Sequence, residues 1–305
     1  MLNLMQSERV TTHYETSASA PTGLCAVLVT PGNNRSMVTR LGAGRNFTLD
    51  HLLSSSVWRL VEQARILYIN GFMLNDCQEC VTRIGQHSAD EGKCFVFNLS
   101  APYLSKVFKE ECRRAVEFSD IVIGNSDEAR ALACNFGMMT SSSCDDDASD
   151  LHGIIREIAA LPKVSRKRER MVVITQGAGD ILVFENGNVR EFPVSRIPSE
   201  EIVDTNGAGD AFVGGFLSEL VRGRGVDVCV EKGVKAAHLI MRQPGCTLPA
   251  KLPGSSDSPV ISSSSSENPA KPCADSVDTS PILDKSFLER ILLKSESRVV
   301  AHGIF

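Results

Sequence analysis

From Leu60 onward, short apolar runs alternate with longer stretches of helical periodicity. The runs Ile66 to Ile69, Cys94 to Leu99, Ile121 to Gly124 and Met171 to Thr175 are predicted strands. Between them, Asp76 to Ala89, Tyr103 to Phe118, Ser126 to Phe136 and Leu151 to Ala160 carry the spacing of helices, each near the length that a crossover between parallel strands requires. The alternation predicts an α/β fold with a mainly parallel central sheet flanked by helices. Ile181 to Phe184 and Val189 to Phe192, split by Glu185-Asn186-Gly187-Asn188, predict a hairpin. In such sheets ligands bind beyond the carboxyl ends of the strands, where Asn70, Ser100, Asn125, Gln176 and a glycine cluster at Gly207 all fall.

Two segments break this rhythm. Gly23 to Val29 and Met37 to Leu41 are β-prone runs around the turn Thr30-Pro31-Gly32-Asn33-Asn34-Arg35, which predicts a hairpin apart from the main sheet. Beyond Pro249 the composition shifts to Ser, Pro, Asp and Lys, and Lys251 to about Pro281 is too poor in apolar residues to form a packed core. Phe287, Leu288, Ile291, Leu292 and Leu293 then predict a short amphipathic helix. Residues 1–250 are therefore expected to form one domain, with 251–305 as a disordered tail. The acidic stretch from Cys144 to Asp150 reads as a solvated loop, with Asp150 placed to cap the next helix; a metal site is the weaker reading.

Composition narrows the class. A chain of 305 residues that is 42% hydrophobic can bury a substantial core. Its net charge of −5 argues against nucleic acid or a membrane surface as the main partner. The basic run Lys163, Arg166, Lys167, Arg168 and Arg170 reads as a solvated loop before a strand, with nuclear targeting as the weaker reading. Ten cysteines lack the spacing of a secreted scaffold, and no segment resembles a signal peptide, so a reducing, cytoplasmic setting is expected. Cys77-x-x-Cys80 has no second pair at zinc spacing and is read as a coincidence on a helix surface. No apolar run is long enough to cross a bilayer.

The chemistry is concentrated in Glu201 to Phe212, EIVDTNGAGDAF. Gly207 and Gly209 allow close backbone approach to an anion, and Ala211, Phe212, Val213, Phe216, Leu217, Leu220 and Val221 then follow helical spacing. The unpaired N–H groups of that helix start favour a phosphate, and Asp210 in the first turn stands where a general base belongs. Other glycine motifs fail on particular residues. A dinucleotide fingerprint needs a small residue where Phe212 stands. A Walker loop needs Gly-Lys-Ser/Thr, and the one Gly-Lys pair, Gly92-Lys93, runs into Cys94.

Asp204 to Phe216, DTNGAGDAFVGGF, resembles the C-terminal signature of the ribokinase-like superfamily, and within it the chain is most similar to adenosine kinases. PTGLCAVLV from Pro21, NRSMVTRLGAG from Asn34, FNLSAPYLS from Phe97, ITQGAGD from Ile174 and PGCTLP from Pro244 carry the likeness in collinear order. The resemblance implies a three-layer fold with a small β lid, of which residues 21–44 would be a remnant. It also implies a monomer that takes adenosine and ATP, with Mg²⁺ as cofactor. Family members carry a further N-terminal part with Gly-Asn-Pro-x-x-Asp and Gly-Gly-Ser-x-x-Asn motifs that hold the ribose. Neither occurs here, so the chain reads as N-terminally truncated, and its lid hairpin is expected to be exposed and poorly paired.

By the same resemblance Asp210 is the base, the Gly207, Ala208 and Gly209 amides form the anion hole, and Arg35 closes over the phosphates. Asn125 and Glu128 match an Asn-x-x-Glu motif whose carboxylate positions hydrated Mg²⁺, although Ser126 stands where the family usually has Glu. Helix capping by Asn125 is the structural alternative. Phe72 and Tyr103 are candidates to stack on the adenine. Cys25, Met37, Thr39 and Leu41 would line the lid side, and Asn206 would touch substrate. Thr175, Gln176, Gly177, Ala237, His238 and the Pro244-Gly245-Cys246 turn would border ATP, with no proton-transfer role for His238. Two alternatives stand beside adenosine phosphorylation: a nucleotide-binding fragment without turnover, and a related sugar kinase.

Overall fold

The computed structural model describes residues 5, 10–30, 34–138, 150–245 and 298–304. Its central sheet has six strands in sequential order. These are β3 (Ile66–Asn70), β4 (Cys94–Asn98), β5 (Ile121–Asn125), β6 (Met171–Gln176), β7 (Gly179–Glu185) and β8 (Asn188–Phe192). The first four are parallel; β7 and β8 are added antiparallel at one edge.

The parallel strands read as unbroken apolar runs because both faces are covered. Phe95, Phe97, Val122, Val172, Ile174 and Leu182 point to one side. There they pack under α4 (Gln78–Glu91), α6 (Lys109–Phe118), α7 (Ser126–Asn135) and α8 (Leu151–Ala160). Val96, Ile121, Ile123, Val173, Ile181 and Val183 point to the other, beneath α9 (Ala208–Leu220) and α10 (Val226–Met241). The period of two thus sorts each strand between two separate cores.

Two predicted helices are each split. Asp76 to Ala89 becomes α3 (Met73–Asp76) and α4, broken where Cys77 takes φ −146° and ψ 89°. Tyr103 to Phe118 becomes α5 (Leu104–Val107) and α6, broken at Phe108 with φ −114° and ψ 51°. The short leading helices α3 and α5 therefore belong to the strand ends, where the chain must turn before crossing back. Ahead of the sheet, α1 (Leu49–Leu53) and α2 (Ser55–Gln63) bury Leu52 and Val61 beside Cys80.

A second, antiparallel sheet has the order β2-β1-β9, from β1 (Gly23–Thr30), β2 (Asn34–Arg40) and β9 (Arg298–Ile304). The hairpin predicted between residues 23 and 41 is present, but β1 is paired on both edges: Cys25 lies opposite Thr39 on one side and His302 on the other. This corrects the expectation of a poorly paired hairpin, since the far end of the chain supplies a strand that its composition did not suggest. The predicted disorder from Lys251 to Pro281, the helix at 287–293 and most of the acidic stretch lie outside the described residues.

The basic run is corrected at two of its five positions, while Arg166, Lys167 and Arg168 are exposed as expected. Arg170 is 3% exposed and donates to six carbonyls: Val116, Ser119, Ile158, Ala159, Leu161 and Pro162. Lys163 is held by Asp120 at 2.7 Å. These cations tie the ends of α6 and α8 to the start of β6, and burial lowers the Arg170 pKa to about 10. Asp150 stands at the N-cap of α8 without a side-chain capping bond. Cys134 is disulfide-bonded, which a reducing setting did not lead us to expect. Among the described residues no helix is long and apolar enough to cross a membrane.

Candidate active site

The carboxyl ends of β3 and β4 are joined by a compact polar network. Ser100, in the left-handed region at φ 64°, donates its hydroxyl to Asn70 Oδ1 at 2.9 Å and accepts from the Gly71 amide at 2.9 Å. Asn70 Oδ1 also accepts from the Phe72 amide, at 2.9 Å. Phe72 and Tyr103 emerge here, each nearly half exposed. Asn75 links them: its Nδ2 donates to the Phe72 carbonyl at 3.2 Å and to the Tyr103 hydroxyl at 3.0 Å. Exposed aromatics fixed by polar braces are suited to stacking on a flat ligand.

At the end of β5, Asn125 and Glu128 form a reciprocal cap. Asn125 Oδ1 accepts from the Glu128 amide, while the Glu128 carboxylate accepts from the Asn125 amide and Nδ2, all at 2.9 Å. Glu128 is 7% exposed. Burial raises its carboxyl pKa, partly offset by the Asn125 amide and raised further by Asp127 and Asp210. The capping alternative is thus realised, and it fixes the Glu128 carboxylate toward Asp210's field.

The glycine segment folds as a braced cradle. Buried Asp204 accepts at Oδ1 from the Asn206 amide at 2.9 Å and its Nδ2 at 2.7 Å, and at Oδ2 from the Gly245 amide at 3.1 Å. Asn206 is itself buried, so its side-chain nitrogen is spent on Asp204 and supports the turn. Gly207 follows with φ 73°, a conformation that a side chain strains, and starts α9. The Ala208 amide makes a long 3.3 Å bond to the Thr205 carbonyl and that of Ala211 a 2.8 Å bond to Gly207. The Gly209 and Asp210 amides have no acceptor among the described residues.

Asp210 sits on this first turn, open to solvent on one side yet enclosed enough that burial raises its carboxyl pKa. Among the described residues its carboxylate has no hydrogen-bond or ion-pair partner. Its charge acts on Glu128 and on Tyr68, raising both, so the three groups lie near one another. The Tyr68 hydroxyl accepts from Asn98 Nδ2 at 3.2 Å, and burial chiefly raises its pKa. Tyr68, Asn98, Asn75 and Asp204 were not singled out from the sequence as site residues. Tyr68 and Asn98 are polar positions within apolar strands, on the face shared with α9, and that pattern is the signal that could have found them.

The remaining candidates lie on other elements. Cys25 and Thr39 are cross-strand partners with Oγ1 3.2 Å from Sγ, and Met37 lies two residues from Thr39 on the same face, strongly exposed. Leu41 lies just past β2. Arg35 is in β2 opposite Val29. Thr175 and Gln176 end β6, where Gln176 Nε2 donates to the Asp180 carbonyl at 2.6 Å and Gly177 turns with φ 59°. Ala237, on α10, packs into the core beneath that helix, and burial, with Arg242 nearby, lowers the pKa of neighbouring His238.

The pfkB family carbohydrate kinase profile matches residues 1–252. The chain belongs to that family. Among pfkB relatives, it is 40% identical to adenosine kinase 2 of Arabidopsis thaliana over 242 residues, covering 79% of this chain and 68% of that protein. Of solved pfkB-like structures, Anopheles gambiae adenosine kinase in complex with P1,P4-di(adenosine-5) tetraphosphate aligns with TM-score 0.74 and 41% identity. That match covers 81% of this chain and 71% of the other. Schistosoma mansoni adenosine kinase in complex with 2-fluoroadenosine aligns with TM-score 0.75 and 36% identity, covering 82% and 71%.

Proposed function

We propose that this chain transfers the terminal phosphoryl group of ATP to the 5′-hydroxyl of adenosine, giving AMP and ADP. The observation that carries the reading is Asp210: a carboxylate without a partner among the described residues, beside two amides without acceptors, at a helix start. As the adenosine oxygen bonds to the γ-phosphorus and the bond to the ADP oxygen breaks, Asp210 takes the hydroxyl proton. The Gly209 and Asp210 amides and the α9 dipole meet the negative charge of the transferring group. Phe72 and Tyr103, braced by Asn75, hold the adenine, with Cys25, Met37, Thr39 and Leu41 facing it from the hairpin. Asp204 positions the cradle through Asn206 and Gly245, and Arg35 closes over the phosphates. Asn125, Thr175, Gln176, Gly177, Ala237 and His238 border ATP.

Two neighbouring carboxylates, Glu128 and Asp210, suit a hydrated divalent cation better than a directly ligated one, because both Glu128 oxygens already accept from Asn125. Mg²⁺ held there through water by Glu128 would neutralise phosphate charge. The relatives named above support adenosine over a sugar, as do the exposed aromatics.

Chromatographic detection of AMP and ADP in equal amounts from ATP and adenosine tests the proposal, and absence of AMP from the unmodified chain overturns it.

A further inference from the structure

Cys77 and Cys80 take no part in the candidate active site. They stand at the break between α3 and α4, with Cys77 as the N-cap of α4 and Cys80 one turn in. Their sulfurs are 2.7 Å apart, within an ångström of the ~2.05 Å of a disulfide bond. Their environments differ. Cys77 is half-buried, whereas Cys80 is 1% exposed and packs in the cluster of Leu52 and Val61. Among the described residues no third His, Cys, Asp or Glu joins them in a group that could hold a metal. Proximity, unequal exposure and a helix start therefore favour sulfur chemistry over metal binding.

We propose that Cys77 and Cys80 are a reversible dithiol–disulfide site whose oxidant is a small-molecule disulfide of the oxidised-glutathione class. Cys77, the reachable thiol, loses its proton and attacks one sulfur of the oxidant. The oxidant's S–S bond breaks, one thiolate leaves, and a mixed disulfide stands on Cys77. Cys80 then loses its proton and attacks Cys77 Sγ, and the second thiolate leaves. In total, two protein thiols lose two electrons and two protons, and the oxidant becomes two thiols.

Burial, the bond to Cys77 and the charges of Cys77, Glu79 and Glu15 all push the Cys80 thiol up, which suits it to wait as the second, resolving sulfur while the reachable Cys77 meets the oxidant.

The test equilibrates the full chain in glutathione buffers of increasing oxidised fraction, quenches with acid, alkylates under denaturing conditions and maps tryptic peptides by mass. The peptide 66–83 contains both thiols and no other cysteine. It should lose both alkyl groups, weigh two hydrogens less than its reduced form, and revert with dithiothreitol. The Cys80→Ser variant should stop at a glutathione adduct on Cys77. Full alkylation of the unmodified chain's peptide at every ratio overturns the proposal, as does an adduct on Cys77 that never resolves into the bridge. Both results are read on unmodified protein, so misfolding of the variant does not affect the decision.

Discussion

Replacing Asp210 by Asn isolates the proposed base with little collateral change, because the carboxylate has no bonded partner among the described residues and the substitution breaks no network there. What is lost is the proton acceptor. Removing a positioned base costs roughly 10²- to 10⁴-fold in rate, or about 2.7–5.4 kcal/mol of barrier at ~1.36 kcal/mol per decade. Stability should move in the opposite sense. Burial raises the folded-state carboxyl pKa of Asp210 above its ordinary 3.8. A carboxyl raised in the fold is no burden at low pH, but destabilises the protein as pH rises through the window between its unfolded and folded values and above it. At pH 7 the Asp210→Asn variant should thus melt no lower than the parent. In a coupled ADP-release assay, the acid limb of kcat/KM should lie above the ordinary carboxylate midpoint in the parent. The variant's residual rate should lose that dependence on Asp210. Activity within tenfold of the parent refutes the reasoning, and so does a lowered melting temperature, which would mean that the carboxylate holds structure.

Arg170→Met should cost about 3 kcal/mol or more, because it leaves buried carbonyls at the ends of two helices short of a donor. Calorimetry should show a melting temperature lower by roughly ten degrees. In Gly233→Ala the new methyl would meet the Phe212 ring at 2.7 Å, so denaturant unfolding should report a loss of about 1–3 kcal/mol. Asp204→Ala releases the Asn206 and Gly245 amides together, and steady-state kinetics should show kcat/KM for ATP lower by about tenfold to a hundredfold with the melting temperature less affected.

The parallel strands were legible because burial on both faces leaves a local mark. Predicted and observed limits of β3 to β6 agree within one residue at each end. The breaks at Cys77 and Phe108 were not legible, since apolar spacing runs on through both positions and the turn is imposed by the strand ends beneath. β9 was invisible for a related reason: a strand made by pairing with a distant edge has no periodicity that must show locally. Within the site, glycine spacing marked the cradle and Asp210. Asp204 and Asn206 were within the same motif, but only the fold reveals that they bond to each other and to Gly245. The basic run misled because Lys163 and Arg170 look like surface charge until the helix ends they satisfy are in place.

The helix that carries Asp210 cannot yield. Gly215 brings the backbone of α9 so near α10 that an added methyl would stand 2.5 Å from the Lys232 carbonyl, and Gly233 admits the Phe212 ring on the same seam. Two helices locked backbone to backbone make a fixed anvil. A methyl added at either glycine would wedge the seam apart and carry the Asp210 turn with it.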